Sequence, residues 1–411
     1  MSPFLSHRPG PTGALAGLSM SVLLSSLGTS MANVSLPSLT QAFGASFQQV
    51  QWVVLSYLLA MTALVVVAGR LGDRLGRRRL LMAGLLLFTL ASLLCAQAPS
   101  LEALVAARAL QGLGAATMMT LAMAMTGETV GKARTGSAMG WLASMSAVGT
   151  ALGPSVGGLL IAWLDWRAMF LSTVPLSLLT LWLVHRHLPA PAPVSAPRSG
   201  TSAEAAALWQ GTALGASLVM NALVATVMMA TLVIGPFLLS GGLGLKMVWV
   251  GAAMSAGPVM SMVFGFVAGK LVDRWGAAHT LRTGLLVMLA GALGLAVLPG
   301  PWGLAGYLLA ISVLTPGYQL FQAANNTATL TRLPSARRGE VSGLLNLARN
   351  LGLMAGASVM GWVFAWVTTE PAAASPATLL HGVQVTFGAA AGLLVLSMFV
   401  GRTTRPAVSG L

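Results

Sequence analysis

The chain has 411 residues, of which 56% are hydrophobic and only 7% charged, against roughly 25% charged in a soluble domain. Its 22 Lys and Arg outnumber 8 Asp and Glu, for a formal net charge of +14. So few charges cannot keep a soluble globule wet, and the single cysteine, Cys95, excludes a disulfide within the chain.

Apolar runs of about 20 residues, each long enough to cross a ~30 Å hydrocarbon core, recur from one end to the other. Six are expected over 13–36, 50–70, 80–98, 101–125, 136–163 and 168–187. Six more are expected over 209–240, 247–269, 281–299, 302–330, 341–368 and 381–401. The first run is too long for a signal-peptide core and reads as a retained helix. The breaks "QAPSLE" and "LPGPWG" make hairpins of the third and fourth spans and of the ninth and tenth. Between the sixth and seventh spans lies "RHLPAPAPVSAPRSGTSAEAAA", whose Pro, Ala and Ser read as a flexible linker. The expected fold is an all-α membrane protein of twelve transmembrane helices: a six-helix half over 1–187, a linker over 188–208 and a second six-helix half over 209–411. "HRH" at 185–187 reads as a solvated basic segment beside the membrane. No metal and no cofactor is expected.

Charge orients the spans. Of the 22 Lys and Arg, all but Arg108, Arg167, Lys246 and Arg349 fall on the side that holds both termini. Lys and Arg in short loops stay cytoplasmic, so both termini are expected in the cytoplasm, with the chain in an inner or plasma membrane. These bases line short loops, where anionic lipid is the natural neighbour; no nucleic-acid partner is expected.

A polar phrase occurs twice: "AGRLGDRLG" at 68–76 and "AGKLVDRWG" at 268–276. Both copies fall at the cytoplasmic side, after the second and the eighth span. Equivalent loops at a constant offset indicate a parallel internal repeat, the build of transporters that rock one half against the other. Gly69, Gly76 and Gly269 allow close approach and tight turns, while Asp73 and Asp273 accept hydrogen bonds beside Arg74 and Arg274.

With these residues the chain resembles the major facilitator superfamily. "GRLGDRLGRRR" matches that superfamily's signature between its second and third helices, and the likeness covers essentially the whole chain. "LVAARALQGLGAA", 104–116, is similar to its helix 4 motif, with Arg108, Gln111, Gly112 and Gly114 at the family positions. "GTALGPSVGG", 149–158, is similar to the helix 5 motif associated with antiporters, through Gly149, Gly153, Pro154, Gly157 and Gly158. The resemblance implies that Arg108 faces the first helix across a central cavity. A charge within a span costs ~2.5–3.5 kcal/mol on insertion scales and usually faces such a cavity. Gln111 follows one turn later on the same face. If the signature latches the cytoplasmic side, Asp73→Asn slows transport, whereas Asp273→Asn, whose copy lacks the basic run, slows it less; equal and near-normal rates in liposomes would sink this idea.

"LGTSMANVSLP" at 27–37 resembles a drug-antiporter phrase, with Asn33, Val34, Leu36 and Pro37 in place and Gly28 where that phrase has an acid. The eight acids, Asp73, Glu102, Glu128, Asp165, Glu204, Asp273, Glu340 and Glu370, all fall in or beside loops. Glu102, at the outer mouth of the fourth span, is the best remaining candidate for proton coupling, with Glu128 and His381 behind it. The polar lining expected of a cavity is neutral apart from Arg108: Asn33, Tyr57, Gln111, Asn221, Gln319, Gln322 and Asn326.

The expected function is export of a small organic amphiphile, neutral, zwitterionic or anionic, by alternating access, with protons as candidate counter-substrate and a single chain as the working unit. The alternatives are an importer or uncoupled facilitator, and a membrane sensor. An enzyme is not expected, because no nucleophile, metal set or acid–base pair converges in the spans.

Overall fold

The computed structural model describes residues 11–130, 135–188, 212–330, 338–369, 371 and 374–402. The first half consists of α1 (Pro11–Val34), α2 (Phe47–Leu75), α3 (Arg77–Ala96), α4 (Leu101–Val130), α5 (Thr135–Trp163) and α6 (Trp166–His187). The second consists of α7 (Thr212–Phe237), α8 (Met247–Trp275), α9 (Ala277–Val297), α10 (Pro299–Leu330), α11 (Arg338–Ala355, continued past a π turn at Gly356–Met360 as Gly361–Thr368) and α12 (Pro376–Arg402). A short helix, Leu36–Phe43, joins α1 to α2, and a π turn at Leu238–Gly242 ends α7. Twelve helices are long and apolar enough to span a membrane. The linker expected over 188–208 lies outside the described residues beyond Leu188.

Local chemistry sets the ends of these helices. Ser46 and Gln49 form a reciprocal capping box that starts α2. Asp165 starts α6 by accepting from the Trp166 N–H at 2.6 Å. The helix α2 ends only at Gly76, whose φ of 90° lies outside the helical range and suits glycine. Gly276, with φ 77°, does the same for α8. The repeated phrase is therefore not a loop: residues 68–75 and 268–275 form the last turns of α2 and α8. Gly69 and Gly72 in α2 and Pro258 in α8 do not end their helices, and a 29-residue helix runs ~44 Å, well beyond the hydrocarbon. The tenth helix also departs from expectation. It begins at Pro299 and bends at Gly303 (φ 52°), so the "LPGPWG" break is a kinked helix start.

The outer surface is apolar, unlike that of a soluble protein. Trp163, Phe266 and Trp366 are each at least 70% exposed, as suits lipid-facing positions. The interior is mainly apolar too, and the serines, threonines and amides buried within it bond to carbonyls of their own or neighbouring helices.

We call the end bearing Gly76 and Gly276 the signature end, and the other the aromatic end. At the aromatic end the rings of Phe47 (α2), Phe237 (α7) and Phe364 (α11) meet, Phe47 lying 4.9 and 5.8 Å from the other two. Nearby, the Ser255 hydroxyl on α8 donates to the Ala151 carbonyl on α5 at 2.7 Å and lies 2.6 Å from the Ser155 hydroxyl. Along α8, residues 250–258 are largely buried, whereas 262–270 are exposed on nearly every side. Among the described residues, the two halves thus close together at the aromatic end and part toward the signature end.

Candidate functional site

Two glycine-lined seams build the rocking core. In the first half Gly149 and Gly153 on α5 lie against α1: a methyl group at Gly149 would stand 2.5 Å from the Leu23 carbonyl, and one at Gly153 would strike Ser30. In the second half Gly352 and Gly356 on α11 lie against α7, where added methyls would strike the carbonyls of Ala222 and Thr226. Hydroxyls stitch both seams, Ser30 to the Gly149 carbonyl at 3.2 Å and Thr226 to that of Gly352 at 3.0 Å. Five residues beyond each pair stands a third glycine that faces the opposite half. Gly158 packs on Met247 and Gly251 of α8, and Gly361 packs on Gln51 of α2. Between pair and third glycine each helix is irregular, through Pro154 in α5 and through the π turn in α11. Such irregularities re-aim a helix face, which lets one helix serve its own half and then the other.

This geometry divides the helix 5 motif. Gly149 and Gly153 belong to packing inside the first half; Gly157 also packs within it, 2.9 Å from Val34 Cγ1 on the same measure. Of the five residues that carry the likeness, Pro154 and Gly158 lie against the partner half, Pro154 through its carbonyl beside Gly251, in line with the Ala151 and Ser155 contacts to Ser255. The second triad, Gly352, Gly356 and Gly361, escaped the sequence reading. Its spacing of four and five residues matches that of Gly149, Gly153 and Gly158 and was the available signal.

Arg108 is placed differently from expectation. Its side chain is 0% exposed and lies inside the first half rather than on an open cavity wall. Its Nε donates to the Val53 carbonyl on α2 at 2.9 Å, and one terminal nitrogen donates to the Gly28 carbonyl on α1 at 3.1 Å and to Gln111 Oε1 at 2.5 Å. The guanidinium carbon sits 4.2 Å from the Tyr57 ring centre, a cation–π contact. Gln111 in turn donates to Ser92 on α3, and the Tyr57 hydroxyl donates to the Ser25 carbonyl. The physical reason is the glycine at 28: with no side chain there, the guanidinium reaches helix carbonyls and locks four helices together. One nitrogen, Nη2, makes no hydrogen bond.

The remaining polar residues split by half. Asn33 is fully enclosed and donates to the Thr29 carbonyl at 3.1 Å. Asn221 is 2% exposed and ties α7 to α11 through the Leu345 carbonyl at 2.7 Å. On α10, Gln319 and Gln322 are half-buried and Asn326 is exposed; Gln322 donates to the Tyr318 hydroxyl at 3.0 Å. Gln319, Gln322 and Asn326 are thus accessible, whereas Asn33, Tyr57, Arg108, Gln111 and Asn221 are not. Glu102 is exposed in the first turn of α4. At the signature end Arg74, Gly269, Asp273 and Arg274 are exposed and Gly69 is half-buried. The side chain of Asp73 lies outside the described set.

Among the described residues, helix position leaves no acid in the middle of a helix. Asp73 and Glu128 lie in the last turn of α2 and of α4, Glu102 and Glu340 in the first turn of α4 and of α11, and Asp273 in the last turn of α8. Arg108 and Arg349 are both cationic and sit ~10 Å inside the span starts at Leu101 and Gly343.

Residues 18–357 match the family described as Major Facilitator Superfamily. The multidrug efflux pump LfrA of Mycolicibacterium smegmatis is 30% identical over 404 residues, covering 85% of this chain and 80% of the relative. The uncharacterized transporter YebQ of Escherichia coli is 28% identical over 405 residues (86% and 89%), and the riboflavin transporter RibZ of Clostridioides difficile is 23% identical over 393 (84% and 86%). Among solved structures, the fold is similar to an inward-facing, occupied bacterial Spinster homologue, with TM-score 0.81, 16% identity and 97% of each chain covered. It is similar too to the nucleoside transporter NupG, with TM-score 0.78, 14% identity and coverage of 94% and 98%. The chain belongs to the Major Facilitator Superfamily and is a multi-pass membrane transporter, not an enzyme.

Proposed function

We propose that this transporter exports a small organic amphiphile that carries no permanent positive charge, by alternating access of one site to the two membrane faces. The observation that carries the reading is the acid-free interior. A cation leaving water needs a compensating partner, and among the described residues the one fully buried charge is Arg108, itself a cation. The contacts between the halves, Gly158 on Gly251 and Gly361 on Gln51, support the alternation, because close contacts of this kind part when one half rocks against the other. With bases gathered at the signature end, that end is cytoplasmic, and the structure corresponds to the inward-open state. Export is supported by the likeness to LfrA, and a cargo larger than an ion by the likeness to RibZ.

Proton antiport then has no buried carboxylate to run through among the described residues. A titratable cargo would carry the proton itself. The same absence favours, as a second reading, a facilitator driven only by the cargo gradient.

The test is counterflow in proteoliposomes, with and without an imposed pH gradient, using naphthyl compounds of different charge. Saturable exchange that excludes quaternary ammoniums is expected. Robust quaternary ammonium efflux would overturn the charge argument, and acceleration by the gradient separates coupled from uncoupled transport.

A further inference from the structure

We infer that Arg349 is the group that holds an anionic headgroup of the cargo, on the seam between α7 and α11. This narrows the cargo class proposed above to anions and rests on that reading.

Three observations converge. First, Arg349 makes no hydrogen bond or ion pair among the described residues, and its Nε is enclosed without a partner. The side chain is half-buried, so the planar end of the guanidinium meets open space while its stem is covered. A guanidinium left in this state at bilayer depth is costly unless an anion or water completes it.

Second, the pseudo-symmetry of the glycine triads places it. Arg349 stands three residues before Gly352, as Ser146 stands three residues before Gly149. Ser146 is half-buried at the α1–α5 seam, 2.7 Å from the Ser26 hydroxyl. The equivalent position on α11 carries a fork of donors where the first half has a seam-closing hydroxyl. On the same α7–α11 seam, Asn221 is anchored by the Leu345 carbonyl, one turn before Arg349, and its Oδ1 makes no hydrogen bond. The carbonyl that anchors Asn221 and the unfilled donor of Arg349 thus belong to α11 residues one turn apart.

Third, no competing acid is present. Arg108 is spent on helix carbonyls and Gln111, and the acids of the described helices stand at helix ends. A carboxylate, sulfonate or phosphate entering from the open signature end meets Arg349 with no internal rival. Two parallel N–H···O bonds from guanidinium to oxyanion give geometry as well as charge; a lysine supplies the charge alone.

The probes are 2-naphthoate, 2-naphthamide and (2-naphthyl)trimethylammonium, which share one apolar body. Binding is read from tryptophan fluorescence of the detergent-purified full chain, and transport from proteoliposomes. The parent chain is expected to bind naphthoate about tenfold tighter than the amide, and the ammonium most weakly. R349Q is expected to weaken naphthoate by about tenfold or more while leaving the amide within about twofold, with R349K between them. If Arg349 only anchors α11 to headgroups, R349Q shifts anion and amide equally, and that result overturns the inference. So does a parent chain that binds the ammonium as well as the naphthoate, a result that needs no variant to fold. If no probe is transported, the export reading fails; the binding series still decides on Arg349, because naphthoate binding lost in R349Q upholds it and binding absent or unchanged overturns it.

Discussion

Gly251→Leu is expected to stop transport while leaving each half folded. A Cβ at Gly251 would strike the Pro154 carbonyl and stand 3.1 Å from Gly158 Cα. These are backbone atoms of the opposite half, and they cannot swing aside as a flexible side chain would. Even a methyl group therefore wedges α5 from α8, and a leucine holds the aromatic end apart. The closed state loses its differential stability, so the population shifts to conformers open at that end. Exchange in proteoliposomes is expected to fall by about tenfold or more. A cysteine replacing Ser255, which is 7% exposed here, is expected to react faster with a water-soluble maleimide in the Gly251→Leu background. Normal exchange with unchanged labelling would remove the seam from the mechanism. Gly153→Leu is the contrasting case. Its bulk meets Ser30 of α1 within the same half, so it lowers the yield of folded protein instead of stalling a folded one.

Arg108→Lys is expected to destabilise the purified protein by about 2 kcal/mol or more, although charge is kept. Hydrogen bonds to a charged group contribute about 1.5–3 kcal/mol each in proteins, and inter-helix bonds within membranes less, ~0.6 kcal/mol on average. Arg108 makes three bonds that reach α1, α2 and its own helix. A lysine ammonium is a compact donor on a single stem and cannot span the Gly28 and Val53 carbonyls together. It keeps the cost of a desolvated charge and loses most of what offsets it. Thermal unfolding in detergent is expected at a midpoint several degrees lower. An unchanged midpoint would show that the network around Tyr57 and Ser92 does not depend on the fork. Because Arg108 is enclosed, loss of transport in this variant would report on the first half's packing; the charge preference is tested at Arg349.

How legible each part was depends on the range of the physics behind it. Twelve spans could be read because each is a local property: about 20 apolar residues satisfy the bilayer whatever their neighbours are. The paired phrases ending at Gly76 and Gly276 were visible as text, yet their structure was misjudged. A polar composition suggested a loop, while helix continuation depends on the next breaker, which is a glycine with positive φ. The helix 5 motif was also visible, but the division among its glycines was not. Spacing of three to five residues says that a face is smooth; it does not say which helix lies against it.

The sequence by itself determined the twelve-helix membrane fold, the internal repeat, the family and the scarcity of acids away from helix ends. These follow from hydropathy and charge summed along the chain. Only the tertiary structure decided that Arg108 is a buried strut, that Gln319, Gln322 and Asn326 are accessible, that Gly158 and Gly361 face the opposite half, and that Arg349 makes no hydrogen bond among the described residues. Each of these depends on which side of a helix meets which neighbour at distances of 3–4 Å. That information is set by the packing of helices remote in sequence, and no window of neighbouring residues contains it.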